Sequence, residues 1–184
     1  MFERFATGAR AAVEAAYDRA RGEGAAELRE EQLLAGLFDA PTAGPVLARL
    51  GVAGDEVLGA IAEARRRGGL TAVDAAALAG IGIDLDAVVG RVEAELGPGA
   101  LHQGRRGPAG RFRLPVTAGT KLALQAALRA AVARGDRDLR DEHLLLGLVA
   151  RPGVVADALG TRGVTTATVL AALDEDRPAS GRAS

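Results

Sequence analysis

Two glutamates hold the same place in two copies of one motif. Glu31-x-Leu33-Leu34-x-Gly36-Leu37 returns as Glu142-x-Leu144-Leu145-x-Gly147-Leu148. Each Glu stands where the apolar spacing predicts a helix to begin. A carboxylate in a first turn is favoured by the helix dipole by about 0.3–1 kcal/mol. Other chemistry is scarce. The chain has no cysteine, and its only serines are Ser180 and Ser184, so the common nucleophiles are missing. It contains no HExxH, no GxSxG and no GxxxxGK[S/T], which removes the usual zinc, hydrolase and phosphate-cradle arrangements. His102 and His143 lie far apart and do not make a metal site. These residues predict a protein that is not an enzyme and carries no cofactor.

The motif belongs to a longer duplication. Residues 5–38 and 116–149 align without a gap at an offset of 111. Gly8 meets Gly119, Arg10 meets Lys121, Gly24 meets Gly135 and Arg29 meets Arg140. Phe5, Ala9, Ala12, Val13, Ala16, Tyr17 and Ala20 recur with helical spacing, predicting a first helix over Thr7 to Gly22. Its partner carries Val116, Ala123, Leu124, Ala127, Leu128 and Ala131. Gly24 and Gly135 stop these helices, as glycines at C-terminal caps do. Second helices are predicted from Arg29 to Asp39 and from Arg140 to Ala150. Each has a mid-helix glycine, Gly36 or Gly147. Gly there costs about 1 kcal/mol against Ala. The same cost at two equivalent positions predicts close helix–helix approach.

A second pattern, Leu-x3-Gly-[Val/Ile]-x4-Val-[Leu/Val], occurs three times. The copies start at Leu47, Leu78 and Leu159. Each reads as a short helix, a glycine turn and a longer helix. The middle copy has no first-helix partner, which makes it an inserted half repeat packed beside the main body. The expected organisation is repeat one over 1–61, the insertion over 62–97, a Gly/Pro/Arg linker over 98–111, repeat two over 112–176 and a disordered tail over 177–184. Duplicated helical units bury their apolar faces against each other. The expected fold is all-α, a pseudo-two-fold double repeat.

The chain is 48% hydrophobic but only 3% aromatic, so its core must be mostly Ala, Leu and Val. Lys121 is the only lysine among 23 basic residues, and the net charge is −1. That balance argues against a nucleic-acid partner, as does the shortage of aromatics for base stacking. No run approaches membrane-spanning length and no apolar signal core opens the chain. The expectation is a cytoplasmic protein with no membrane partner. Arg65-Arg66-Arg67 and Arg105, Arg106, Arg111 and Arg113 read as a helix end and a linker, solvated rather than phosphate-binding.

The opening Met1-Phe2-Glu3-Arg4-Phe5, the Glu31 box and the fuller Glu142-His143-Leu144-Leu145-Leu146-Gly147-Leu148 box resemble the N-terminal domain of Clp ATPases, most of all the ClpC class. The resemblance covers about 1–61 and 112–175, and the insertion is longer than that family's linker. It implies an all-helical double repeat that receives substrates and adaptors ahead of ATPase rings. Without a P-loop, the chain is similar to a stand-alone N-domain of the actinobacterial kind.

The resemblance also implies sites. In that family the helix-start Glu helps bind phosphoarginine, a mark for degradation. A carboxylate can fork onto a guanidinium, while a Thr hydroxyl and free helix N–H groups take phosphoryl oxygens. The family's Thr position is Ala6 in repeat one and Thr117 in repeat two, so the implied ligand set is Thr117 with Glu142, and Glu31 with less support. Phe2, Phe5, Arg10 and Lys121 map by analogy to a groove between the repeats that accepts peptides and cyclic-peptide antibiotics. Val116 replaces the family's second Phe, which weakens such a clamp. His143 matches the family's Glu-His pair and is read as structural. The implied function is non-catalytic capture of substrates, phosphoarginine-tagged proteins or cyclic peptides, as adaptor or decoy for a ClpC-type ATPase. The alternative is a structural self-association or docking module with no ligand pocket; the oligomeric state is left open.

Overall fold

The computed structural model describes residues 5–97, 100–101 and 114–175. Among these there are ten helices and no β-strand. Repeat one holds α1 (Thr7–Gly22), α2 (Glu30–Leu37), α3 (Ala43–Arg49) and α4 (Gly54–Arg66). The insertion holds α5 (Ala72–Gly80) and α6 (Leu85–Leu96). Repeat two holds α7 (Ala118–Ala133), α8 (Asp141–Val149), α9 (Val154–Gly160) and α10 (Thr166–Glu175). The all-α double repeat is therefore present. Helix α4 runs past the expected boundary at 61 and ends at Arg66. Most of the linker, the tail, Phe2, His102 and Arg105, Arg106, Arg111 and Arg113 lie outside the described residues.

Helix α1 starts and stops where the apolar spacing places it. Its buried side is Ala9, Ala12, Val13, Ala16 and Ala20. It packs on α2 as α7 packs on α8. Both contacts depend on the mid-helix glycines. A Cβ on Gly36 would collide with the carbonyl oxygen of Ala12, and one on Gly147 with that of Ala123. The backbones touch, and Ala-lined helices allow it. Leu128 departs from expectation: it is 47% exposed, with Val132 at 78%. Small Ala126, Ala127 and Ala131 and the hydroxyl of Thr120 fill the buried face instead. Helices this close leave no room for a leucine between them.

The three Leu-x3-Gly copies are α3–α4, α5–α6 and α9–α10. Their turn glycines, Gly51, Gly82 and Gly163, have φ of 73°, 84° and 76°. Only Gly takes that left-handed conformation without penalty. In the two main repeats these helix pairs close the core, and α4 packs on α9 across the pseudo-two-fold. In the insertion, α5 buries nothing, while α6 buries Leu85 and Val89.

The two repeats also exchange short extended segments. Phe5 bridges Leu139, and Leu28 bridges Val116. At the offset of 111, these are one contact made twice, as a two-fold interface demands. Ala6 donates its N–H to Leu139 O at 2.9 Å, and Thr117 donates to Leu28 O at 3.0 Å. The residue preceding each first helix is thus tied to the turn before the other repeat's second helix.

Candidate functional site

Thr117 is the N-cap of α7. Its Oγ1 accepts from Thr120 N at 3.2 Å and lies 3.5 Å from Glu30 Oε2, to which it donates. Ala6 has nearly the same backbone conformation, φ −61° and ψ 159° against −60° and 159°, but no side-chain cap. Because the extended segments cross, the carboxylate facing Thr117 comes from the other repeat. Among the described residues no hydrogen bond joins Thr117 to Glu142. The same crossing sets Gly119 against Glu30 and Gly8 against Asp141: a Cβ on Gly119 would collide with the Glu30 carboxylate, and one on Gly8 would lie 2.7 Å from Asp141 Oδ1.

The two predicted glutamates have different surroundings. Glu31 Oε2 accepts from Arg65 Nη2 at 3.1 Å, and Arg65 also lies 3.6 Å from Glu30 Oε2. Glu142 is 7% exposed. Its Oε1 is 3.7 Å from Arg140 Nη1, whose side chain is 54% exposed. Its Oε2 is buried with no hydrogen-bond partner among the described residues. Its neighbour Asp141 is fully engaged, with Oδ2 accepting from Thr42 N at 2.7 Å and Ala43 N at 2.8 Å. That carboxylate fixes the start of α3 and ties the repeats together.

His143 is completely buried. Its Nδ1 accepts from Arg140 N at 3.0 Å, which leaves Nε2–H to donate to Asp136 Oδ2 at 3.0 Å. This is a structural arrangement. Lys121 is exposed on the first turn of α7. Arg10 Nη2 donates to Phe5 O at 3.4 Å, and Phe5 is half-buried against the core. Phe2 lies outside the described residues.

Arg65, Arg66 and Arg67 are not a solvated stripe. Arg65 engages α2, Arg66 pairs with Glu63 at 2.9 Å and Glu93 at 3.3 Å, and Arg67 with Asp86 at 3.0 Å. Helices distant in sequence deliver most of these partners, so no local pattern announces them. A cleft of about 370 Å³ opens beside Arg65, lined by Arg19, Glu23, Arg29, Glu31, Leu58 and Ile61 among others. Among the described residues no group of His, Cys, Asp or Glu could hold a metal ion, and no single helix is long and apolar enough to cross a membrane.

Sequence reasoning missed Glu30, Asp141 and Arg65. The first two carried a signal: acidic pairs, Glu30-Glu31 and Asp141-Glu142, occupy equivalent positions. Arg65 carried none.

Comparison with known proteins bears on the fold. Residues 115–179, the second repeat, match the family model described as the Clp repeat (R) N-terminal domain. No curated protein matches the sequence significantly. One similar solved structure comes from preliminary structural investigations of a malarial protein secretion system: TM-score 0.61, 17% identity, covering 94% of this chain and 93% of that one. Another is the N-terminal domain of the caseinolytic protease associated chaperone ClpD from Arabidopsis thaliana: TM-score 0.51, 18% identity, covering 96% and 100%. At such identities these structures share the fold. The second repeat thus matches the Clp repeat N-terminal domain model, and the chain as a whole has the fold of the ClpD N-terminal domain.

Proposed function

We propose that this protein is a non-catalytic protein- and peptide-binding module of Clp proteolysis, whose working site in the second repeat is Glu142 with Arg140. The observation that carries this is the buried, unpartnered Oε2 of Glu142 beside an exposed guanidinium. A carboxylate oxygen denied both water and a donor is costly. A guanidinium that enters as the Glu142 side chain turns outward satisfies it, and a fork onto a carboxylate is geometrically specific. Arg140 stands ready for an anion on the same ligand. A phosphoarginine side chain carries both groups. Thr117 serves this site only indirectly, by fixing α7. By the family resemblance, the surface that carries Phe5, Arg10 and Lys121 receives the rest of a bound peptide or a cyclic peptide. By capturing a tagged substrate the protein acts as adaptor or decoy for a ClpC-type ATPase, shifting free ligand by mass action.

The test is calorimetric titration with free phosphoarginine. The expected result is saturable binding abolished by Glu142→Ala and weakened by Arg140→Ala. No heat at millimolar ligand overturns the site.

A second reading has its own observation. The insertion exposes Val73 (63%), Ile81 (74%) and Leu96 (76%). Apolar side chains left exposed on a helix pair that buries little else are available for association. In this reading the protein self-associates through α5–α6. Sedimentation equilibrium separates the two, since a stable oligomer dispersed by Ile81→Asp favours the scaffold.

A further inference from the structure

We infer that Arg65 is a built-in occupant of the first repeat's carboxylate pair, closing that site to any guanidinium from outside. The inference rests on the reading that helix-start carboxylates of this fold receive a guanidinium. It adds that one of the two receptors is already filled by the chain itself.

Arg65 sits in the last turn of α4 and reaches across to the start of α2. Its Nη2 lies 3.1 Å from Glu31 Oε2 and 3.6 Å from Glu30 Oε2. This is the position a guanidinium ligand would have to take. The side chain is 26% exposed, and those of Glu30 and Glu31 are 24% and 16% exposed. The ion pair is therefore partly shielded and stronger than a surface pair. An outside ligand must displace it, competing with a group whose effective concentration is that of a tethered side chain.

The seating is incomplete. Arg65 Nε is buried and unpartnered, so the guanidinium is held by one nitrogen rather than by a two-pronged fork. The cleft of about 370 Å³ lies on its flank, with Glu23 and Glu27 on its walls. That gives the side chain a space to enter and carboxylates to meet there. The remainder of a receptor is present: the Thr117 hydroxyl stands 3.5 Å from Glu30. The chain therefore holds one helix-start carboxylate bonded to an arginine from another helix, Glu31, and one, Glu142, whose Oε2 has no partner among the described residues and whose nearest cation is Arg140, 3.7 Å from Oε1. Arg65 sets the number of ligands bound and acts as a positioning and excluding residue.

The experiment counts sites. The full chain is titrated with phosphoarginine by calorimetry as wild type, Arg65→Ala, Glu142→Ala, Arg65→Ala/Glu142→Ala and the last with Glu31→Gln added. The expected stoichiometries are one, two, none, one and none. Arg65→Met, which keeps the apolar stem, should behave as Arg65→Ala and guards against misfolding, and far-UV circular dichroism confirms that each variant is helical. A folded Arg65→Ala/Glu142→Ala variant that binds nothing overturns the inference while leaving the Glu142 site standing. Two sites in the wild type overturn it as well. If the wild type is silent and Arg65→Ala/Glu142→Ala binds one equivalent, the inference holds and the Glu142 site fails.

Discussion

His143 stands where Gln32 stands in the first repeat, and the two make the same pair of hydrogen bonds. Gln32 Oε1 accepts from Arg29 N at 2.9 Å and its Nε2 donates to Glu23 Oε2 at 2.9 Å. His143 Nδ1 accepts from Arg140 N and its Nε2 donates to Asp136, both at 3.0 Å. An imidazole and an amide thus perform one task, tying the start of a second helix to the turn that follows a first helix. His143→Gln should keep both bonds and cost under about 1 kcal/mol. His143→Ala leaves a buried Arg140 N–H and a cavity, and should cost about 2–3 kcal/mol. Urea unfolding of both variants decides it; equal losses would show that volume alone matters there.

Gly36→Ala and Gly147→Ala test the close approach. By propensity alone, Ala in a helix gains about 1 kcal/mol over Gly. Here the new Cβ meets the Ala12 or Ala123 carbonyl, which is backbone and cannot step aside. Overpacking costs about 1–3 kcal/mol or more, so the net sign should be destabilising at both positions. Gly119→Ala is the contrast, because the nearest atoms to its Cβ belong to the Glu30 side chain, which can swing away. Thermal melts of the three variants should rank Gly119→Ala well above the other two.

These glycines also show what a sequence of this kind reveals. Duplication made Gly36 and Gly147 legible, because one cost at two equivalent places points to backbone contact. It made the helices and the three glycine turns legible for the same reason. It could not show that the pre-helix segments cross, since an exchange between repeats leaves the pattern of each repeat unchanged. The resemblance therefore pairs Thr117 with Glu142, whereas its neighbour is Glu30. The sequence places Arg65 on the surface, because Glu31 lies 34 residues earlier in the chain. The spacing places Leu128 in the core, because it does not register how close two Ala-lined helices come.

Thr117→Ala should cost about 1 kcal/mol through the lost N-cap. Ala6→Thr should recover a similar amount, since Ala6 already has the backbone conformation of Thr117. The pair can be read by chemical denaturation. Stabilisation by Ala6→Thr that is absent would mean that Asp141, already committed to Thr42 and Ala43, leaves a hydroxyl there no room to orient.

The insertion should be the least protected part of the fold. Helix α5 buries no residue, and α6 buries only Leu85 and Val89. Arg66–Glu93 at 3.3 Å and Arg67–Asp86 at 3.0 Å help hold it to α4, and Asp86 is 63% exposed. Exposed ion pairs weaken with salt. Amides of α5 and α6 should exchange faster than those of α8, faster still in high salt or in Arg67→Ala. Exchange in α5 that matches α8 would show that the insertion shares the main core.

The start of α5 carries a carboxylate with a directional pH response. Thr71 N and Thr71 Oγ1 each donate to Asp74 Oδ2 at 2.7 Å, and Asp74 N returns a bond to Thr71 Oγ1 at 3.2 Å. The backbone N–H of Thr71 is the larger cause, its hydroxyl the next, and together they hold the Asp74 carboxyl below its ordinary value of 3.8. The folded state thus favours the ionised form. Its contribution is present above the ordinary value and is lost as pH falls through the depressed one. The Asp74 carboxyl carbon, followed by NMR, should therefore titrate below a free aspartate, with α5 amides moving in step. In Asp74→Asn the acid-side movement of the α5 amides should vanish, because the amide oxygen still accepts from Thr71 but no longer titrates. A carboxyl that titrates at the ordinary value would mean that the first turn of α5 is frayed in solution and the reciprocal cap is unformed.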